Sequence, residues 1–287
     1  MVIDVMKDSR AVSAVKAALE EDIGSGDATT LALVDSTVMA TGEILAREAC
    51  RVAGATVAAA VMRQVDPGLT VEIVVPDGND VPKGGTILTI RGKAASILTA
   101  ERTALNFMQR MCGIATLTAR FVEAVSEFKT MILDTRKTTP NLRVFEKYAV
   151  TCGGGTNHRF GLYDRVLMKD NHRRLWKGGD PDRLDLAVEA ARKAFPALAV
   201  EVEVESIDEC KSALRAKPEW IMLDNMDCET MKACVALCKG ISLTEASGGI
   251  TLDRARAVAA TGVDAISLGC LTHSAGSIDL SLEWQVV

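Results

Sequence analysis

The chain has 287 residues, of which 48% are hydrophobic, 25% charged and 4% aromatic, with a net charge of −5. This composition predicts a soluble globular protein of one large or two moderate domains, and it disfavours a nucleic-acid platform of stacked aromatic rings. No apolar run approaches the ~18 residues of a membrane span, and the first eight residues lack the basic and apolar regions of a secretory signal. We therefore expect a cytoplasmic protein that binds neither nucleic acid nor membrane.

The first third of the chain has the pattern of a mixed α/β unit. A helix is predicted at 9–22, with Ser9 as its N-cap and an apolar stripe of Val12, Val15 and Leu19. Between residues 34 and 95 the pattern predicts a helix and three strands separated by turns. The helix is expected at about 51–63, and the strands at 41–48, 69–75 and 86–92. A long helix follows from Ala95 to about Phe128, and we expect Gly113 to interrupt it.

Beyond this helix, short apolar strands alternate with loops and helices. Glu203 and Asp224 are 21 residues apart, as are Asp224 and Glu245, and Ser267 follows 22 residues later. Such repeated strand–helix units predict a parallel sheet that tends to close into a barrel, with its chemistry at the carboxyl ends of the strands. A doubly wound open sheet is the alternative. Strands are predicted at 131–133, 165–168, 199–205, 220–223, 241–244 and 265–268.

Positive charge is concentrated in the middle of the chain. Residues 136–177 hold ten Lys or Arg and three acids, a net charge of +7, so the remainder carries −12. Arg136 and Lys137 follow one predicted strand, Lys169 follows the next, and His158 and Arg159 lie between them. Because arginine grips carboxylates in bidentate fashion and lysine supplies a mobile charge, this group predicts a ligand with several negative groups.

Acidic residues and glycine turns follow the later strands. Glu203 and Asp224 lie one unit apart, and such carboxylates suit Mg²⁺ held together with substrate phosphate, or ribose hydroxyls. The turns at 247–249 and 268–270 offer backbone N–H groups at the place where barrels of this type bind phosphate. Together these features predict an enzyme that binds a phosphorylated sugar, a metal ion and a polyanionic co-substrate.

Several segments resemble the quinolinate phosphoribosyltransferase family. The resemblance extends from Glu21 almost to the C-terminus. It rests on residues 21–27, 101–107, 134–140, 146–150, 157–162, 169–172, 201–205, 223–225, 247–250 and 271–274. One departure is Asn141, where the family pattern has glycine after the proline, so the local turn is in question.

The resemblance implies an N-terminal α/β sandwich domain at 1–112 and an open, incomplete α/β (TIM-like) barrel at 113–275, with a tail at 276–287 that packs back on the first domain. It also implies a homodimer. The implied reaction joins quinolinate to phosphoribosyl pyrophosphate and, with Mg²⁺, gives nicotinate mononucleotide, pyrophosphate and carbon dioxide in NAD biosynthesis.

The resemblance also implies a role for each candidate residue. Arg102 is expected to reach the site from the partner subunit, and Lys137 to lie near the reacting centre. Glu203 and Asp224 are expected near the ribose and the metal. The expected quinolinate pocket comprises Arg136, His158, Arg159 and Lys169, and Thr135 is expected to bind substrate. The expected 5′-phosphate site comprises Ser247, Gly248, Gly249, Leu268, Gly269 and Cys270.

Three other functions stay open on the sequence. The first is a related molybdenum-transport-associated homologue of unknown substrate. The second is a Schiff-base aldolase that uses Lys169 or Lys137, and the third is a non-catalytic nucleotide sensor. The first shares the barrel, the second would not need so many cations around its lysine, and the third would not need all of the charged residues.

Overall fold

A computed structural model describes residues 5–286 of the chain. Residues 1–4, and residue 287 at the end of the predicted tail, lie outside the described residues. The strands are β1 (Met39–Ala46), β2 (Cys50–Arg51), β3 (Thr70–Ile73), β4 (Asp80–Val81), β5 (Thr86–Lys93), β6 (Met131–Leu133), β7 (Val166–Met168), β8 (Val200–Val204), β9 (Trp220–Asp224), β10 (Leu243–Ser247), β11 (Ala265–Ser267) and β12 (Leu280–Val286). The helices are α1 (Ser9–Ile23), α2 (Ala28–Leu33), α3 (Ala55–Val65), α4 (Ala94–Ala124), α5 (Arg143–Cys152), α6 (Asp170–Arg174), α7 (Leu184–Ala194), α8 (Ile207–Leu214), α9 (Cys228–Cys238), α10 (Leu252–Ala259) and α11 (Cys270–His273). Within residues 5–286, no helix combines the length and apolarity needed to cross a bilayer.

The chain divides into two compact units. The first contains residues 1–119, 137–155 and 270–287, and the second contains 120–136 and 156–269. In the first unit an antiparallel sheet has the order β12-β1-β5-β3, so the last strand pairs with the first. The three strands predicted in this region correspond to β1, β3 and β5. The predicted boundary between residues 112 and 113 stays a prediction.

The first helices differ in detail from the sequence predictions. The N-cap of α1 is Asp8 rather than Ser9, because the Asp8 carboxylate accepts a hydrogen bond from the Arg10 amide. Its apolar stripe is formed by Ala11, Val15 and Leu19, whereas Val12 is 45% exposed. Helix α3 begins four residues later than predicted, because β2 pairs with β4 before the helix starts.

Helix α4 continues through Gly113, so the predicted interruption there is wrong. Gly113 instead allows the backbone at Gly276 to approach α4 closely, because a Cβ atom at Gly113 would collide with the carbonyl oxygen of Gly276. Glycine costs helix stability relative to alanine, but the helix accommodates one such residue where another backbone passes this close. Ile114 and Ala115, directly after it, are fully buried.

The second unit is a six-stranded parallel sheet with the order β6-β11-β10-β9-β8-β7. The first strand pairs with the last, while β6 and β7 are not neighbours, so the sheet is an incomplete barrel and not a doubly wound sheet. Helices α7 to α10 pack along it. Every residue of β8 is buried, as expected for a parallel strand covered by helices. The predicted fold class is thus confirmed.

Strand β10 begins and ends later than predicted. The amides of Ile241 and Ser242 are taken by the Cys238 carbonyl oxygen at the end of α9, at 2.9 and 3.0 Å, so these two residues belong to a turn. Glu245 therefore lies in the middle of the strand rather than at its end, and Ser247 is the last residue.

Candidate functional site

One face of the parallel sheet carries most of its polar side chains. Glu203 is in register with Met222, Met222 with Glu245, and Asp224 with Ser247. Residues in register on neighbouring parallel strands point to the same face, and alternate residues of one strand do so too. Glu203, Asp224, Glu245 and Ser247 therefore share one face, and the adjacent strands bring their carboxyl ends to one edge.

Lys169 and Glu203 meet at this edge. The Lys169 ammonium donates to the Glu203 carboxylate, which is only 7% exposed, while the lysine side chain stays 45% exposed. On β9 the neighbouring Asp224 is half-buried and accepts a hydrogen bond of 2.7 Å from the Asn225 side chain. A lysine that reaches solvent from a buried carboxylate can neutralise a second anion placed above it.

Two arginines lie close to each other in the same unit. Arg136 follows β6 after Thr135, and both are half-buried. The Arg159 guanidinium donates to the Arg165 carbonyl oxygen at 3.2 Å. Burial, and then repulsion by Arg136, lower the pKa of Arg159. Two guanidiniums that repel each other in a partly buried position form a place where an anion is strongly favoured.

The turn after β10 has the backbone of a phosphate loop. Gly248 and Gly249 have φ angles of 97° and 56°, which favour glycine. A Cβ atom at Gly248 would collide with Asn225, whose own amide donates to the Ser247 carbonyl oxygen at 3.0 Å. Helix α10 begins directly after this turn, and its N-cap Thr251 makes no side-chain hydrogen bond to it. The first amides of α10 are therefore not capped by that side chain.

The second predicted glycine turn directly follows β11, the last strand of the parallel sheet. The Leu268 amide donates to the Leu133 carbonyl oxygen at 2.9 Å, which continues the pairing of β11 with β6. Leu268 is 2% exposed, so it serves the sheet. Of the three residues predicted there for phosphate binding, Gly269 and Cys270 are half-buried. Gly269 ends the second unit and Cys270 begins α11 in the first.

His158 stands in a buried cluster that the sequence did not predict. Its Nε2 atom is 3.0 Å from Glu201 and 3.4 Å from Glu245, and its Nδ1 atom accepts the Arg159 amide at 2.7 Å. Arg165 Nη1 is 3.1 Å from the same Glu201 carboxylate. Both ring nitrogens thus have partners inside the protein. The only sequence signal was that Glu201 and Glu245 fall on the same sheet face as Glu203.

Three predicted residues belong to the first unit, namely Arg102, Lys137 and Cys270. Arg102 is exposed on α4. Lys137 is also exposed, and its carbonyl oxygen accepts the Thr272 hydroxyl at 2.7 Å. Asn141 has a φ angle of 65°, so it adopts the conformation that glycine favours and asparagine tolerates. The departure from the family pattern therefore preserves the turn.

Comparison with known proteins gives a consistent result. Residues 27–112 match the N-terminal domain model of quinolinate phosphoribosyl transferase, and residues 114–283 match its C-terminal domain model. A nicotinate-nucleotide pyrophosphorylase [carboxylating] of Mycobacterium leprae is 42% identical over 94% of this chain and 95% of its own. A chloroplastic protein of that name from Oryza sativa subsp. japonica is 42% identical over 94% of this chain and 76% of its own. NadC from Streptococcus pyogenes superposes with a TM-score of 0.92 at 40% identity, and 97% of each chain is covered.

Proposed function

Because the chain belongs to the quinolinate phosphoribosyl transferase family, we propose that it transfers the phosphoribosyl group of phosphoribosyl pyrophosphate to the ring nitrogen of quinolinate. Loss of carbon dioxide then gives nicotinate mononucleotide, a step in NAD biosynthesis. Curated relatives that carry the corresponding enzyme name support the proposal. The alternatives of a molybdenum-associated homologue and a nucleotide sensor have no comparable support.

The observation that carries the proposal is the pair of neighbouring arginines, Arg136 and Arg159, in the same unit as the Lys169–Glu203 ion pair. Quinolinate is a dianion with two adjacent carboxylates on one ring. Arg136 and Arg159 already repel each other, so a dicarboxylate between them removes an unfavourable interaction and adds bidentate hydrogen bonds. Lys169 supplies a third cation at the strand ends. Thr135 is assigned to the same pocket by its place before Arg136.

The phosphoribosyl group is assigned to the acidic and glycine-rich side of the sheet edge. The turn at Ser247, Gly248 and Gly249 and the start of α10 suit its 5′-phosphate. Glu203 and Asp224 fit Mg²⁺ by their chemistry, because carboxylate oxygens on neighbouring strands are its preferred protein ligands and substrate phosphates complete the shell. When bound, the ion would supply neutralising charge for pyrophosphate.

The chain's own residues act mainly by orientation and electrostatics. Arg136 and Arg159 hold the dianion so that its ring nitrogen faces the anomeric carbon. The nitrogen–carbon bond forms as the bond to pyrophosphate oxygen breaks, and Lys137 and Lys169 balance the departing charge. The quaternised ring then accepts the electron pair left when the adjacent carboxylate departs as carbon dioxide. A proton replaces it on that carbon.

The proposed partner is a second copy of this chain, which contributes Arg102 to each site. The exposed position of Arg102 on α4 supports this assignment. Cytoplasmic localisation is proposed by analogy with bacterial relatives. The relative from Oryza sativa is named as chloroplastic.

A single assay tests the proposed reaction. The protein is incubated with quinolinate, phosphoribosyl pyrophosphate and Mg²⁺, and nicotinate mononucleotide is measured by chromatography and mass spectrometry. We expect product only when all three are present. Absence of product, together with a borohydride-trapped adduct between Lys169 or Lys137 and a carbonyl compound, would favour an aldolase instead.

A further inference from the structure

The cluster of His158, Glu201, Glu245 and Arg165 lies on elements of the second unit and is almost sealed from water. Glu201 and Glu245 are both 0% exposed, and His158 is 7% exposed. One oxygen of Glu201, one of Glu245 and the His158 ring lie within 4.8 Å of one another. Arg165 contacts Glu201 and stacks over the Trp220 ring at 5.3 Å. Two carboxylates therefore face each other without solvent to separate them.

The hydrogen bonds of this cluster are incomplete. Among the residues that the structure describes, Glu201 Oε1 and both Glu245 oxygens are buried without a hydrogen-bond donor. Buried acceptors of this kind are rare, because each one loses its hydrogen bond to water without a replacement. A proton on one carboxylate would turn an acceptor into a donor and satisfy an oxygen of the other.

The net charge of the cluster also indicates one additional proton. With Glu201 and Glu245 both ionised, Arg165 positive and His158 neutral, the sealed cluster would carry a net charge of −1. One more proton makes it neutral. That proton cannot occupy His158 Nδ1, because Nδ1 accepts the Arg159 amide at 2.7 Å, and Nε2 already donates to Glu201. The remaining position is a carboxylate oxygen of Glu245, because Glu201 pairs with Arg165 and His158.

We propose that Glu245 is a protonated carboxylic acid that shares its proton with Glu201, and that the triad of His158, Glu201 and Glu245 positions Arg159. The link to Arg159 is the hydrogen bond from its amide to His158 Nδ1. This inference rests on the proposed function for its consequence in substrate binding. A second full negative charge in the cluster would weaken the binding of a dianion held by Arg159.

The pKa shifts of this cluster indicate that it holds an extra proton at neutral pH. Burial, and then repulsion by Glu201, raise the pKa of Glu245. Although burial opposes it, the carboxylates of Glu201 and Glu245 raise the pKa of His158 to about 9. Coupled groups share their protons, and because His158 Nδ1 accepts the Arg159 amide, the extra proton of the cluster is assigned to Glu245 and not to the ring. The charged or titratable groups facing Glu245 are His158, Glu201 and, through Glu201, Arg165. The amide of His158 is held by Asp134 at 2.8 Å.

Infrared difference spectroscopy tests the proton on Glu245 without any substrate. Wild-type protein at pH 7.5 should show the C=O band of a buried carboxylic acid. The band should disappear in Glu245→Gln and persist in Glu189→Gln, a control at an exposed position on α7. ¹⁵N-histidine spectra, simplified by the presence of only three histidines, should show His158 as the neutral Nε2–H form. Glutamine keeps a donor for Glu201, so the variant should fold.

Two results would overturn the proposal. The first is a His158 imidazolium with no carboxylic-acid band in the wild type. The second is a stoichiometric divalent ion, measured by elemental analysis, that Glu245→Gln abolishes. Kinetics test the consequence separately, since the KM for quinolinate in the wild type should rise at least threefold as the pH is raised from 7.5 to the pH at which the carboxylic-acid band disappears. The KM of Glu245→Gln should change less than twofold over that range, and an equal rise in both proteins would contradict the positioning role. If the enzyme assay fails but the infrared result holds, only the proposed function is lost.

Discussion

Lys169 and Glu203 form an ion pair at the carboxyl ends of the adjacent strands β7 and β8. The carboxylate is buried and the ammonium reaches solvent, so the pair joins the sheet interior to the edge where the predicted substrates meet. A lysine in this position can keep its partner and still contact a ligand anion. Lys169→Ala leaves Glu203 as a buried, uncompensated charge, which weakens anion binding twice over.

The first prediction concerns the two arginines. Arg136→Ala or Arg159→Ala should lower kcat/KM for quinolinate at least about 30-fold, which corresponds to about 2 kcal/mol of transition-state stabilisation. The reason is the loss of one charged, bidentate contact to a carboxylate. Steady-state kinetics at constant ionic strength measure it, with Arg192→Ala, near the opposite ends of the strands, as the control. Rates within twofold of wild type would remove the two arginines from the site.

A second prediction concerns the glycine turn. Gly248→Ala introduces a side chain at a φ of 97° and against Asn225, so it should distort the turn and raise the KM for phosphoribosyl pyrophosphate about tenfold or more. Gly240→Ala is the matched control, because its φ of 74° imposes similar strain but nothing lies within 4 Å of the added atom. An equal KM increase in both variants would show that backbone strain, and not the collision with Asn225, causes the effect.

A third prediction concerns the stability of the first unit. Gly113→Ala forces α4 and the segment at Gly276 apart, and overpacking of this kind costs about 1–3 kcal/mol of unfolding free energy. Gly276→Ala places its Cβ in open space and serves as the control. Urea unfolding measures both variants. A Gly113→Ala protein as stable as the control would contradict the close approach.

A fourth prediction concerns acid stability. Hydrogen bonds from Arg183 and then Arg215 hold the pKa of Asp185 well below its ordinary value of 3.8. A depressed carboxyl pKa contributes stability that is present above the ordinary value and is lost as pH falls through the folded-state value. Asp185→Asn should therefore destabilise the protein at pH 7 more than at pH 3. Asp208→Asn, which removes a carboxylate from an exposed pair with Lys211, is the matched control, and an equal pH dependence in both variants would contradict the prediction.

A fifth prediction concerns the partner subunit. If Arg102 acts across a homodimer, mixing Arg102→Ala with Lys169→Ala should restore activity, because each mixed dimer contains one intact site. Random subunit exchange restores roughly a quarter of the wild-type activity per site. Exchange is checked by native mass spectrometry with one variant isotope-labelled. No recovery despite complete exchange would place Arg102 outside the partner's site.

The sequence predicted the number and approximate positions of the barrel strands well, because each strand is a short apolar run and the runs are regularly spaced. The predictions were wrong where contacts between distant parts of the chain determine the local structure. Gly113 reads locally as a helix breaker, and only the passage of Gly276 beside it explains an uninterrupted helix. Similarly, Val12 fits the helical period of α1, but Ala11 takes the buried position.

The sequence predicted which residues lie at the candidate site better than it predicted which side chains they contact. The ends of β7, β8 and β9 could be placed by periodicity, which put Lys169, Glu203 and Asp224 at one edge. His158 was expected to face the substrate because the family resemblance implies a place for it in the quinolinate pocket. Its buried contacts with Glu201 and Glu245 depend on sheet register, which the sequence alone does not specify.

Release of labelled carbon dioxide from quinolinate labelled in the carboxyl group beside the ring nitrogen is the decisive test of the proposed reaction. We expect release that requires both phosphoribosyl pyrophosphate and Mg²⁺ and that falls at least about 30-fold in Arg159→Ala. Release by the wild type without phosphoribosyl pyrophosphate, or no release with every component present, would contradict the proposed reaction.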